Sequence, residues 1–403
     1  MASVSKQFTA TAVMLLRRRG LLDLDDELTK FFPEIPFPGI TIRNLLTHTG
    51  GLPDYDDEDG WVVKKSKEEN KIFGNEIIIR FLAESGEKAK FAPGEKYEYS
   101  NTGYCVLAQI VEKVSGVKFE DFLRKNIFEP AGMHSTRTVH RRKDGVTPND
   151  VVQGMVLDME SGEFKLPDYV KEEDFVIPLD GENGDGLVHS SILDLFTWDR
   201  VLRTDRILTE EERKLMYTPG RLNNRDPTVD EDDIIKGAYG FGWDILDDPD
   251  LGKTVFHSGG WPGSYSWYQR WIDADKVLVI IRSRTSLDVR AFYTMFEAVQ
   301  NVAKDKEPCP VRTIEEIALK DPDKSRWEAF CGKYEKPEDD ELWLKEVFVR
   351  NGELYARFCF GSVEKDMRMY PLGENEFGIK LYSFKTVFGD ASVTYADMTC
   401  KKL

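Results

Sequence analysis

Up to about residue 235, apolar residues recur at spacings of three and four, the period of a helix, with polar loops between the runs. Val4 to Arg19 carries Phe8, Ala12, Val13, Leu15 and Leu16, which predicts a largely buried helix with Ser3 at its N-terminus. Three arginines in the last turn and Gly20 behind them fit its end, where cations meet the negative pole of the dipole and glycine takes a left-handed cap. Shorter helical pieces follow at Leu21 to Phe32 and Ile42 to Leu46, interrupted by Pro33, Pro36 and Pro38 and closed by Gly50-Gly51-Leu52-Pro53. Glu69 to Ala83 and Thr102 to Phe128 are two further predicted helices, the second with Val106, Leu107, Ile110, Val111 and Val114 in helical register.

From Tyr239 the period changes. Tyr239 to Ile245, Lys253 to His257, Ser264 to Ile272 and Lys276 to Ser283 are short aromatic or β-branched runs split by Gly, Asp and Pro, which predicts consecutive antiparallel strands. A helix is expected over Ser286 to Lys304 and a linker over Asp305 to Pro310. Thr313 to Phe330 reads as helical, and residues 331 to 403 alternate apolar and polar positions over segments such as Leu354 to Phe360 and Phe377 to Leu381. The expected organisation is an α+β domain over residues 1 to 305 followed by a small all-β domain over residues 306 to 403.

Composition narrows function mainly by exclusion. With 55 Lys+Arg against 72 Asp+Glu, the 403-residue chain has a formal charge of −17, which disfavours phosphate backbones and hence nucleic acid as a partner. Cys105, Cys309, Cys331, Cys359 and Cys400 are scattered without a CxxC pair, so neither a disulfide framework nor a zinc site is predicted. No apolar run approaches the roughly 18 residues of a membrane span, and no long apolar segment follows the N-terminus, so the sequence as written predicts a cytoplasmic protein without a membrane span. The acidic runs Asp56 to Asp59 and Asp230 to Asp233 read as solvated loops.

The chain has no GxxxxGKS/T loop, HExxH pair or GxSxG elbow, and none of its five histidines stand at i,i+4 on a helix, so no metal or organic cofactor is expected. What remains is Ser3-Val4-Ser5-Lys6, where a helical turn sets a lysine beside a serine that needs a neighbour to take its proton. The SxxK spacing recurs three more times, but only Ser3 opens a predicted helix; taken alone, Ser3 is more commonly a helix cap. Tyr99-Ser100-Asn101 is the chain's one YxN, and His257-Ser258-Gly259-Gly260 places small residues at the end of a predicted strand. His48-Thr49-Gly50 repeats the HxG spacing after a helix, and His48 reads as a hydrogen-bonded structural histidine. Trp261, Tyr265, Trp267 and Tyr268 serve equally well as an acyl pocket or as core.

In that order, SxxK, YxN and HxG resemble the serine β-lactamase and penicillin-binding family, in particular its class C-like branch of D,D-carboxypeptidases, D-aminopeptidases and esterases. Flanking text is similar as well, at Leu45 to Tyr55, Tyr99 to Tyr104 and Tyr239 to Trp243, and the likeness covers residues 3 to about 300. The resemblance implies a β-lactamase/transpeptidase-like α+β fold, a helical subdomain plus an antiparallel sheet flanked by helices, with a small barrel-like all-β domain behind it. It also implies that Ser3 is the acylated nucleophile, that Lys6 and Tyr99 share its proton, and that Asn101 holds Lys6 and the substrate amide. Gly259, Gly260 and Trp261 would line the substrate, with the N–H groups of Ser3 and Gly260 as oxyanion hole. An ammonium beside the phenol would favour phenolate and make Tyr99 a base near neutral pH. His257 stands where penicillin-targeting relatives carry lysine, so a substrate carboxylate would be held weakly or pH-dependently, which favours esters and D-amino-acid peptides or amides over β-lactams. The alternative is a catalytically silent homologue that uses the cleft for binding or assembly. Relatives of this kind place a helix and two strands, on the order of 35 residues, before the nucleophile helix, whereas only Met1-Ala2 precedes Ser3. Without those elements Lys276 to Ser283 would be an exposed apolar edge through which copies pair.

Overall fold

Lys6–Arg18 form helix α1, and every side chain from Lys6 to Leu16 is buried, as its nearly unbroken run of apolar and small residues requires. The computed structural model describes residues 1–57, 60–229, 237–285, 288–337, 342–360, 363–395 and 398–403. A 3₁₀ turn, Ala2–Ser5, leads into α1, and no side chain caps either segment, so Ser3 does not play the capping role. At the far end Gly20 takes φ +68° and donates its N–H to the Arg17 carbonyl at 2.9 Å.

The predicted helix Thr102 to Phe128 divides. Helix α2, Asn101–Ser115, stops at Gly116 with φ +72°, and shorter helical turns continue from Phe119. Ser100 caps α2 by accepting from the Gly103 N–H at 3.2 Å. The helix predicted over Glu69 to Ala83 begins only at Glu76 and runs to Glu84; Glu69 instead ends an unpredicted helix, Trp61–Glu69, which Asn70 closes in the left-handed region at φ +49°. Helix α3 spans Ile192–Val201.

Five antiparallel strands follow in sequential order: β1 Ala238–Tyr239, β2 Asp244–Asp248, β3 Gly252–Trp261, β4 Ser264–Trp271 and β5 Lys276–Arg282. The β3–β4 register pairs His257 with Tyr268, Gly259 with Ser266 and Gly260 with Tyr265. Among the described residues β5 pairs only with β4; Val277 and Val279 pack on the core while Ile281 is 40% exposed. The open choice among the strand aromatics resolves by position: Trp267 stacks on Phe256 at 4.9 Å and Tyr268 is fully buried, whereas Trp261 faces a cleft. A buried ion pair, Arg270 Nε to Asp199 Oδ1 at 2.7 Å, fastens β4 to α3.

Two compact units are distinguished, Met1–Val156 with Lys165–Arg284, and Leu157–Phe164 with Thr285–Leu403. In the second, helix α4 begins at Val289 and runs to Ala303; Ser286, where it was expected to start, lies outside the described residues. Only Ile314–Ile317 and Trp327–Phe330 are helical within the stretch predicted from Thr313 to Phe330. The strands form two meanders, β6 to β9 (Gly332–Lys333, Leu342–Arg350, Glu353–Phe360, Val363–Arg368) and β10 to β14 (Tyr370–Pro371, Glu376–Ile379, Tyr382–Phe388, Ser392–Tyr395, Met398–Lys401). A barrel was expected, but the described ladders do not close. The chain passes between the meanders at Met369, and their far ends meet in a single bridge, Tyr334 to Lys402, around a shared core of Trp327, Phe330, Leu344, Phe358, Phe377 and Phe388. No helix among the described residues is long and apolar enough to cross a membrane.

Candidate active site

The turn before α1 and the first residue of α1 bring Ser3 and Lys6 together. Lys6 Nζ lies 3.1 Å from Ser3 Oγ, 2.7 Å from Asn101 Oδ1 and 3.0 Å from the Asp185 carbonyl oxygen. Two of these partners are acceptors only, so they fix two N–H groups and point the third position of the amine at the serine hydroxyl. That position holds an N–H when the lysine is charged and a lone pair when it is neutral. Lys6 is wholly buried, and desolvation lowers its pKa from 10.5 to about 8 against the opposing pull of Asp185. The arrangement therefore lets the amine act as a proton acceptor in mildly alkaline solution.

Glycine is required where the sheet meets this turn. Gly242, at φ +76°, sits so close to Lys6 that a Cβ there would lie 2.9 Å from the Lys6 carbonyl. At Gly259 a Cβ would fall 2.6 Å from Ser266 Oγ and 3.1 Å from the Ser3 N atom, whereas one at Gly260 would meet nothing within 4 Å. Strand β3 thus presses its backbone against the Ser3 amide at Gly259 and opens at Gly260 into a cleft of about 190 Å³, which Ser3, Asn101 and Trp261 also line.

Tyr99 and His257 complete the residues the sequence singled out. The Tyr99 ring lies 4.8 Å from Lys6 Nζ. Its hydroxyl is buried with no hydrogen-bond partner in good geometry, and burial holds its pKa well above 10, with only the Ser3 hydroxyl nearby to favour ionisation. Burial thus works against the phenolate expected from the sequence. His257 is 3% exposed, and its ring is fully engaged, with Nε2 2.9 Å from Tyr239 Oη and Nδ1 2.6 Å from the Ser258 carbonyl. Since that carbonyl can only accept, Nδ1 carries the proton and Nε2 accepts from Tyr239. Burial, then Lys6, pushes the His257 pKa down to about 3, which favours the neutral ring over a cation at that position.

His48 supports the site from behind. At φ +56°, it accepts the Ser100 N–H on Nδ1 at 3.0 Å, and its ring packs 4.3 Å from Tyr99 and 4.5 Å from Tyr239. It thereby braces the Tyr99-Ser100-Asn101 segment, a structural role.

Three carboxylates at this site escaped the sequence analysis. Asp56, expected in a solvated run, is half-buried and accepts from Asn101 Nδ2 at 2.7 Å; burial raises its pKa. Asp57 is exposed, while Glu58, Asp59 and Asp230 to Asp233 lie outside the described residues. Asp185 accepts from Tyr55 Oη at 2.9 Å and from Cys105 Sγ at 3.2 Å. Glu182 is buried on the same cleft. An acidic run and a Gly-Asp-Gly loop carry no sign of this by themselves, because burial here is decided by segments far apart in sequence. Among the described residues, no three His, Cys, Asp or Glu side chains converge as metal ligands.

The chain is similar to known proteins along most of its length. Residues 1–298 match the family described as Beta-lactamase. A penicillin-binding protein of Bacillus subtilis (strain 168) is 34% identical over 389 residues, 96% of this chain and 82% of its own length. Among solved structures, a D-amino acid amidase from Ochrobactrum anthropi SV3, crystallised with D-phenylalanine, superposes with TM-score 0.56 at 26% identity, over 76% of this chain and 91% of that one. A penicillin-binding protein homologue from Pyrococcus abyssi shares the fold along the whole chain, with TM-score 0.64 at 24% identity and 87% of that chain covered.

Proposed function

The chain belongs to the beta-lactamase family and is a serine hydrolase, and within that family we propose that it cleaves esters, amides or short peptides of D-amino acids through an acyl-enzyme on Ser3. The observation that carries this reading is the Lys6 amine, held by two carbonyl acceptors and directed at Ser3 Oγ from 3.1 Å. Neutral Lys6 takes the hydroxyl proton as Oγ bonds to the substrate carbonyl carbon. Charge developing on the carbonyl oxygen is received by the N–H groups of Ser3 and Gly260, an interaction worth about 3 to 4 kcal/mol in the transition state. Tyr99, kept as a phenol by burial, hands its proton to the leaving nitrogen or oxygen and recovers one from the Lys6 ammonium. Water then repeats the sequence on the acyl-enzyme, and Ser3 is released with its proton.

The neutral state of His257 supports the choice of substrate, since no cation stands at that position for the carboxylate of a β-lactam. The solved D-amino acid amidase relative points the same way. Steady-state kinetics test it: kcat/KM for D-alanine esters or anilides is expected to exceed that for a chromogenic cephalosporin by about 100-fold or more, the scale of one lost charge-assisted contact. Comparable values for both classes would overturn the assignment. We further propose that copies associate along β5, whose apolar outer side supports pairing. Sedimentation velocity is expected to find a species larger than the monomer, reduced by Ile281→Lys; a monomer at all concentrations would contradict it.

A further inference from the structure

Both acceptors that aim Lys6 at Ser3 are backed by a carboxylate. Asn101 leans on Asp56, to which its Nδ2 donates at 2.7 Å. Asp185 offers its carbonyl to Lys6 at 3.0 Å and carries a carboxylate of its own, which accepts from Tyr55 Oη at 2.9 Å and from Cys105 Sγ at 3.2 Å. The backbone before it is clamped as well. The Gly184 carbonyl accepts from Thr9 Oγ1 of α1 at 2.5 Å, and a Cβ on Gly184 would fall 2.4 Å from the Tyr104 carbonyl of α2. Tyr55 is tied to α2 in turn, its N–H donating to Thr102 Oγ1 at 3.1 Å. Any residue can supply a backbone carbonyl, so the contact with Lys6 does not by itself call for the Asp185 side chain.

What the side chain adds is charge. Burial, then Asp185, holds the Tyr55 hydroxyl well above 10 and the Cys105 thiol well above 9, so both donors to the carboxylate are neutral. Neutral donors keep its oxygens in place without cancelling their charge. Around the Lys6 amine stand the rings of Tyr99 and Tyr104, at 4.8 and 5.5 Å, and the Cys105 thiol, and its charge also acts on the imidazoles of His48 and His257. Burial favours the uncharged form of each of these, and of Glu182 beside Asp185. Burial lowers the Lys6 pKa to about 8, and Asp185 is the group that most opposes it, ahead of Cys105 and Asp56. Asp56 is the less secure charge, since burial raises its own pKa. Resting on the acyl-enzyme reading above, we propose that Asp185 is a positioning residue for Lys6 with two separable parts: its carbonyl aims the amine at Ser3, and its carboxylate, pinned by Tyr55 and Cys105, stabilises the ammonium and moves acylation into alkaline solution.

The test follows the rate at which a fluorophosphonate labels Ser3 from about pH 5.5 to about pH 9.5, in wild-type protein, Asp185→Asn and Asp185→Glu, each checked for folding by circular dichroism. The wild-type rate is expected to rise through about pH 8. Without the charge, Asp185→Asn is expected to reach half its plateau about one pH unit or more lower, the scale of an opposite charge close to a titrating group. Well below both midpoints it would then label at about tenfold or more the wild-type rate, each taken relative to its own plateau. Asp185→Glu, which returns the charge, is expected to bring the midpoint back toward that of wild type. Lost orientation or partial unfolding lowers the height of a profile and leaves its midpoint in place. An unmoved midpoint in Asp185→Asn, or one moved as far in Asp185→Glu, therefore overturns the proposal. Where Asp185→Asn does not fold, Asp185→Ser carries the same expectation. If wild-type Ser3 labels with a flat profile, the role of Asp185 fails and the acyl-enzyme reading stands; if Ser3 labels at no pH, both fail.

Discussion

At the scale of single residues, the account turns on which group can give up or take a proton. Below about pH 8 Lys6 is an ammonium and has no lone pair for the Ser3 hydroxyl; above it the amine is free. Acylation of Ser3 by a neutral ester probe is therefore expected to rise with pH through about 8 and then level off, and a flat profile from pH 6 to 9 would contradict the role given to Lys6. Tyr99→Phe is expected to lower kcat by about 10²- to 10⁴-fold on amide substrates, whose leaving nitrogen needs a proton, and by less on esters with good leaving groups. Equal losses on both would place Tyr99 elsewhere in the mechanism. Much of this was legible in the sequence. Ser3 and Lys6 are one turn apart, Tyr99 and Asn101 flank a helix start, and each pair is held by local geometry. The ionisation of Tyr99 and His257 was not legible, because its direction depends chiefly on burial.

The elements explain how that residue geometry is held. Strand β3 and the turn before β2 approach α1 through glycines, so a side chain at either point has to displace the nucleophile turn. Gly242→Ala combines a left-handed φ with a Cβ 2.9 Å from the Lys6 carbonyl, and is expected to cost about 1 to 3 kcal/mol of stability with a loss of activity beyond what the lower folded fraction explains. Thermal melts together with kcat below the melting range would show this. Asp199 is fully buried, with Arg270 at 2.7 Å and Arg203 at 2.9 Å; Asp199→Ala strands the buried Arg270 guanidinium, while Arg203 keeps Asp275, and is expected to cost about 3 to 5 kcal/mol in denaturant unfolding. A loss under 1 kcal/mol would show that the pair does not fasten β4 to α3. The strand order and α1 followed from hydrophobic period and turn residues. Where the period misled, at Gly116, a single left-handed residue broke a helix whose apolar spacing continued past it, and at Asn70 another delayed the next helix to Glu76.

For the molecule as a whole, the −17 charge first served only to exclude nucleic acid. The same net charge over the whole surface also favours arrival of cationic over anionic substrates. Raising ionic strength from about 0.02 to about 0.5 M is expected to lower kcat/KM for an amine-bearing substrate several-fold while leaving a neutral ester nearly unchanged. Equal responses would remove the electrostatic contribution. These expectations all presuppose that Ser3 is the nucleophile, and that is measured most directly by mass spectrometry of the intact and digested protein after incubation with a fluorophosphonate. The account predicts one adduct per chain, on the peptide containing Ser3, absent in Ser3→Ala and strongly slowed in Lys6→Ala. Folded wild-type protein that takes up no adduct, or takes it up at another residue, would contradict it.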